Sequence, residues 1–318
     1  MVLPGTVGLF LLSGLVAGFA FQRSRLCFVS SLRDLFLFGA TGMTRAILLM
    51  LAVAAVAGAL AVAWREQAGL PVPLPSGPPV LFAAAGGMVF GAGMVLAGSC
   101  AAGAFWRLGE GQWTQLWILA GLLAGTWLYR LLPWPGTVVE YAAIPRWLSP
   151  AALGLALIIL LLWERSQRFQ GEELPPTRSR RSWRSAWFPE VGALVIAATL
   201  ALFLGGTGQI WRVTRLFLLD DLASASFAGG LLVGGLAGAR LGREWRSRSS
   251  SNGRQIALRF AGGVLMGLGA RYGWGCTVGA LLGGMTLPTV YPWVWMAGAI
   301  AGAWIGANVL RRWLGTLL

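Results

Sequence analysis

Long apolar runs separated by short clusters of Arg, Pro and other polar residues make up most of the chain. Bounding the runs by those clusters predicts nine helical spans, near 5–22, 42–64, 79–97, 113–132, 151–163, 188–204, 227–240, 256–270 and 290–310. Several fall short of the roughly 20 apolar residues that a straight bilayer crossing needs, so some are expected to stop partway through. The first run, 7–20, has no basic segment before it and no convincing small-residue cleavage pattern after it, and is expected to be a retained helix rather than a removed leader.

Composition supports a bilayer as the solvent. The 318 residues are 57% apolar and 11% charged, with 46 glycines and 17 tryptophans, whereas soluble domains carry about 25% charged residues. Glycine is more frequent in membrane helices than in soluble ones. Histidine is absent, which removes histidine triads, imidazole metal ligands and imidazole proton relays. The formal charge of +14 raises the question of nucleic acid. The arginines answer it: they lie between apolar runs rather than on one polar module, as in a membrane protein with a charged side.

Counting arginines in alternate loops sets the expected orientation. With the N-terminus outside, only Arg65, Arg130, Arg146, Arg212, Arg215 and Arg271 of the 25 basic residues lie outside. The positive-inside rule then places the N-terminus in the periplasm and the C-terminus in the cytoplasm of a bacterial inner-membrane protein. Residues 164–187, with Pro175, Pro176 and a run of arginines, read as a cytoplasmic basic linker between two halves, 1–163 and 188–318. A second basic stretch, 240–254, reads as another cytoplasmic loop that touches lipid headgroups.

An ungapped self-match joins the halves. Residues 86–103 read GGMVFGAGMVLAGSCAAG and residues 262–279 read GGVLMGLGARYGWGCTVG, both fitting GG-x3-G-x-G-x6-C-x2-G. Gly91 pairs with Gly267, Gly93 with Gly269, Cys100 with Cys276 and Gly103 with Gly279. Under the expected orientation the helices entering the two copies run in opposite directions, so the repeat is inverted, a plan in which broken helices meet near the midplane. Gly91, Gly93, Gly267 and Gly269 are expected to allow close helix approach within the glycine pattern of the breaks, and Gly98 and Gly275 to let the backbone leave the helix. A short helix starting at Ala101 or Thr277 would aim free N–H groups at the centre, where an anion fits. A weaker echo lays 18–28 on 205–215, matching Gln22 with Gln209, Arg25 with Arg212 and Cys27 with Thr214. It predicts two broken elements per half, four in all.

All three cysteines fall at expected breaks. Their separations exclude a CxxC redox pair or a sequence-local metal site, and no metal or cofactor is expected. A thiol is a weak donor and a soft, polarisable acceptor, suited to holding a soft sulfur or selenium oxyanion briefly. Ser99 and Thr277 flank the thiols. Arg25, Arg212 and Arg271 lie near breaks and could attract an anion, or could snorkel to the interface. Glu110 is expected at the inner mouth, preferentially as a solvated loop residue, and Trp106, Trp113, Trp134 and Trp293 as interface anchors.

The stretches GAGMVLAGSCAAGAFWRLGEG around Cys100, GARYGWGCTVGALLGG around Cys276 and RSRLCFVSSLRDLFLFG around Cys27 resemble the YeeE/YedE family of sulfur-transport permeases. The resemblance spans both halves. It implies an all-α polytopic fold of nine membrane-spanning and four short helices in an inverted pseudo-two-fold arrangement, and thiosulfate as the imported anion. It further implies that Cys27, Cys100 and Cys276 pass the anion inward through S–H···S hydrogen bonds without a covalent intermediate, and that a small cytoplasmic sulfur carrier of the TusA type accompanies the permease. The family often carries GCTSGH at the last cysteine, where this chain has Val278 and Ala280 in place of Ser and His. A selenium or other sulfur-compound transporter is therefore one alternative. A membrane thiol oxidoreductase is another, although it would need mutually reachable cysteines and a partner oxidant. The chain is expected not to be an enzyme.

Overall fold

Helices form where the apolar runs lie, and they stop at glycine, proline or a polar cluster. A computed structural model describes residues 4–70, 76–132, 138–169, 186–211, 213, 215, 221–249 and 252–315. In chain order the helices are α1 (Pro4–Ser24), α2 (Phe28–Phe38), α3 (Gly42–Gln67), α4 (Val80–Ala97), α5 (Ala101–Gly109), α6 (Gln115–Leu128), α7 (Leu148–Phe169), α8 (Pro189–Thr207), α9 (Leu222–Leu241), α10 (Gly253–Tyr272) and α11 (Tyr291–Gly315). A wide π-helical segment, Thr277–Gly283, runs into a 3₁₀ turn, Gly284–Thr286, between α10 and α11. Two short strands, β1 (Ser76–Gly77) and β2 (Val139–Glu140), pair antiparallel.

Among the described residues, seven helical segments are long and apolar enough to cross a membrane. The runs expected near 113–132 and 256–270 form helices outside that set. One, α6, is only 14 residues long, about 21 Å at 1.5 Å per residue. The other, α10, carries Arg254, Arg259 and Arg271. Of the four expected short helices, α2, α5 and the 277–286 segment are observed. The fourth falls on 212, 214 and 216–220, which lie outside the described residues together with the basic linker from 170 to 185.

Packing is backbone against backbone. Helix α4 lies between α10 and α11, and α10 lies between α4 and α6; α1 packs on α9 and α8, and α3 on α8 and α7. A Cβ on Gly91 would stand 2.1 Å from the carbonyl oxygen of Ala299, and one on Gly267 2.5 Å from that of Leu122. A Cβ on Gly93 would meet the Gly262 oxygen at 2.6 Å, and one on Gly269 the Gly86 oxygen at the same distance. Where lipid is as apolar as the side chains, close approach of this kind is what holds helices together. These four glycines thus lie inside α4 and α10 at crossings, not at the breaks themselves. Large apolar side chains such as Leu60, Leu131, Leu162, Leu202 and Trp304 are exposed on the outside of the bundle, which suits a hydrocarbon surround.

Polar contacts gather at two ends. At one end, Thr41 and Arg45 bind Glu164, Arg45 also binds Glu190, the Trp187 N–H donates to the Arg23 carbonyl, and Trp113 pairs with Ser247. At the other, Arg146 pairs with Glu66, Arg65 donates to the Gly205 carbonyl, and the β1–β2 loops meet the segment around Pro288 and Thr289. Arg23, Arg25 and Arg45, with the described part of the basic stretch 240–249, belong to the first end.

Candidate functional site

Each cysteine occupies the same local construction. A helix ends, and the residue two places before the cysteine turns left-handed: Arg25 at φ 56°, Gly98 at 71° and Trp274 at 54°. The cysteine is then extended, at φ −146° for Cys27, −89° for Cys100 and −132° for Cys276. It caps the next helix, its Sγ accepting the N–H three residues on (Ser30, Gly103 and Gly279) at 3.4 Å each. A left-handed Arg or Trp costs about 1–3 kcal/mol, and such strain concentrates at functional sites. Sulfur is a poor cap beside the hydroxyl or carboxylate oxygens that usually hold this position. Capping therefore does not account for three cysteines.

Gly98 fulfils its expected part as the left-handed stop of α4. In the second copy that part falls to Trp274, while Gly275 serves closeness: a Cβ there would lie 2.3 Å from that of Ala280 and 2.6 Å from the Tyr291 hydroxyl. Gly103 and Gly279 sit in the first turns of the short helices. Helix α1 stops before left-handed Arg25 and α8 before left-handed Gly208. The partners expected for Arg25 and Cys27, Arg212 and Thr214, lie outside the described residues.

The thiols are buried and unpaired as disulfides. Cys100 lies within electrostatic range of both Cys27 and Cys276, and Thr277 neighbours its sulfur. Thr277 is 1% exposed, and among the described residues its hydroxyl has no hydrogen-bond partner beyond that sulfur. Ser99, also buried, donates to the Cys100 carbonyl at 3.3 Å. Helix α5 touches the 277–283 segment, which is also met by Ile210 and Trp211 from the loop after α8. The broken elements thus converge. A separate apolar cavity of about 310 Å³ between α1 and α8, with Leu12, Val16 and Phe203 in its wall, includes none of the cysteines.

Of the charged residues, Glu110 departs from expectation. Arg25 binds both Glu110 and Glu244, the latter at 3.0 Å, and Gln22 and Arg23 join Glu244 at 2.9 and 3.5 Å. Arg25 is thereby neutralised by carboxylates. Glu110 is 2% exposed, so it is a buried partner rather than a solvated loop residue. Arg271 stacks 5.0 Å over the Tyr129 ring at the end of α10. Trp106 is 3% exposed in the core, where its backbone carbonyl would stand 2.4 Å from a Cβ on Gly235 of α9. It is not an interface anchor. Trp113 is exposed, Trp293 donates to Ser149 at 3.2 Å, and Trp134 lies outside the described residues.

Sequence reasoning missed Arg107. In the last turn of α5, its Nη2 donates to Cys27 Sγ at 3.1 Å and its Nη1 to the Gly98 carbonyl at 3.0 Å. The available signal is spacing: Arg107 follows Cys100 by seven residues, two helical turns, which returns to the same face.

These features define an all-α, multi-pass membrane protein with thiol-capped helix breaks gathered in its interior. The chain belongs to the sulphur-transport family, which it matches over residues 23–305. It is 29% identical to the thiosulfate transporter TsuA of Escherichia coli K12, over 96% of this chain and 93% of that one. It is 30% identical to the thiosulfate transporter TsuA of Spirochaeta thermophila, over 95% and 98% respectively. A probable transporter, YedE of E. coli K12, is 36% identical over 38% of this chain and 28% of its own length.

Proposed function

We propose that this chain is an inner-membrane permease that imports thiosulfate, or a related small sulfur oxyanion, past Cys276, Cys100 and Cys27 in that order. The observation that carries the reading is the threefold use of a poorly capping thiol at a left-handed helix break, with Cys100 within electrostatic range of both others. Each thiol offers the sulfur end of the anion a weak S–H···S hydrogen bond, firm enough for entry and loose enough for exit. Helix N-termini and the Thr277 hydroxyl donate to its oxygens. No covalent step is required, and the chain acts as a transporter rather than an enzyme.

The architecture that serves this task is nine crossings in two inverted halves, with α7 as the unpaired one. Reciprocal contacts support it. Exchanging α1 with α8, α3 with α9, α4 with α10 and α6 with α11 turns the α4–α11 contact into α10–α6 and the α1–α9 contact into α8–α3. The glycine contacts exchange likewise, Gly86 on Gly269 becoming Gly262 on Gly93. The basic end faces the cytoplasm under the positive-inside rule, where a TusA-like sulfur carrier would collect the product.

Growth on thiosulfate as sole sulfur source, with labelled uptake into vesicles, tests the reading. Cys100→Ala and Cys276→Ala should abolish uptake and Cys27→Ala should reduce it, with the protein present at wild-type levels. Unchanged uptake in all three variants would remove the cysteine path.

A further inference from the structure

The geometry points to Arg107 as the group that reads the charge of the transported anion at its inner station, with Cys27 reading its sulfur end. This deepens the permease reading and rests on it. Near the basic end of the bundle, the described arginines mostly have carboxylate partners: Arg23 and Arg25 share Glu244, Arg25 also holds Glu110, Arg33 holds Asp34, and Arg45 holds Glu164 and Glu190. Arg107 is half-buried, and no carboxylate among the described residues pairs with it. Among the described residues its guanidinium donates to a thiol sulfur at 3.1 Å and a backbone carbonyl at 3.0 Å, with the Trp106 ring 5.2 Å away.

A cation in a poorly polar interior calls for a counter-charge. Neutral acceptors do not supply one. The contact with sulfur is also the weaker of the two, so it is the one an oxyanion oxygen would replace while the Gly98 carbonyl keeps the fork in place. With oxygens on Arg107 Nη2 and terminal sulfur on Cys27 Sγ, the pair selects for both ends of one molecule. Sulfate has oxygens but no soft sulfur for the thiol, and hydrosulfide has sulfur but no oxygen for the guanidinium. Arg25, two places before Cys27 and tied to two carboxylates, cannot take this part without breaking both pairs.

The test uses the full chain in vesicles with labelled thiosulfate. Arg107→Gln should raise KM about tenfold or more, as expected for loss of a charge-assisted contact, with Arg107→Lys intermediate because it keeps charge and loses the fork. Thiosulfate should protect Cys27 from a neutral maleimide in the wild type and not in Arg107→Gln, while sulfate protects neither. A folded Arg107→Gln protein with wild-type KM and intact protection would overturn the inference. Should that variant fail to fold, the wild type still decides: Cys27 should react faster with an anionic than with a cationic methanethiosulfonate, and by a larger ratio than Cys276, as read by mass spectrometry. An equal or reversed ratio also overturns it. Absence of thiosulfate uptake by the wild type would sink the permease reading instead, leaving the reagent ratio to report on Arg107 alone.

Discussion

A thiol at a helix N-cap separates local stability from chemistry, because the residues that cap well are not the ones that hold sulfur well. Cys100→Ser is the informative variant: its hydroxyl accepts the Gly103 N–H at least as firmly as Sγ does at 3.4 Å. It should melt no lower than the wild type and still lose uptake, whereas Cys100→Ala should lose uptake together with about 1 kcal/mol of cap stability. Thermal unfolding beside vesicle uptake checks both. The place of the three thiols at helix breaks was legible in the sequence, since two of them repeat at fixed spacing and Cys27 follows the polar run Gln22–Arg25. Arg107 was not. Its role depends on Cys27, 80 positions away along the chain, a proximity that no local pattern encodes. Trp274 was missed for a related reason: a left-handed backbone is expected at glycine, and adjacent Gly275 drew that expectation to itself.

Among the elements, crossings and breaks use glycine for different reasons, and the difference is measurable. At Gly98 a Cβ would meet nothing within 4 Å, so only the positive φ of 71° resists substitution; Gly98→Ala should cost about 1 kcal/mol. At Gly91 a Cβ would stand 2.1 Å from a carbonyl oxygen of α11, and Gly91→Ala should cost at least about 3 kcal/mol, because α4 and α11 must part along their length. Reversible unfolding in mild detergent would rank the two; equal losses would contradict the distinction. Helix positions were readable from apolar runs alone, and the ends of α1, α4 and α8 fall within a few residues of expectation. The echo between 18–28 and 205–215 pairs Arg25 and Cys27 with Arg212 and Thr214, which lie outside the described residues.

For the whole molecule, the loops sort into two ends through contacts far apart in sequence, as where Gln112 bridges to Arg248 and Ala143 to Thr289. The arginine count likewise divides the loops into two sets, because charge cannot stay in hydrocarbon whichever fold is adopted. A fluorescent reporter active only in the cytoplasm should light up when fused after Leu318, and a reporter active only in the periplasm should work when fused before Met1. The opposite result would invert the molecule. Less legible was which helices are crossings in their own right. Among the described residues, length and hydropathy select seven, passing over α6 and α10. Yet both are packed on their neighbours through glycine-to-carbonyl contacts, so partners, rather than their own apolarity, hold them in the bundle.

The contacts across α4 and α10 carry one more implication. A side-chain interface can be rebuilt with other shapes of similar volume, but two main chains touching directly leave no substitute for hydrogen at the α-carbon. Descendants of a duplicated ancestral half could drift freely elsewhere and still be unable to replace these positions. The matching glycines in 86–103 and 262–279 would then be the fossil of a handshake between copies, preserved by geometry long after other traces of common origin had worn away.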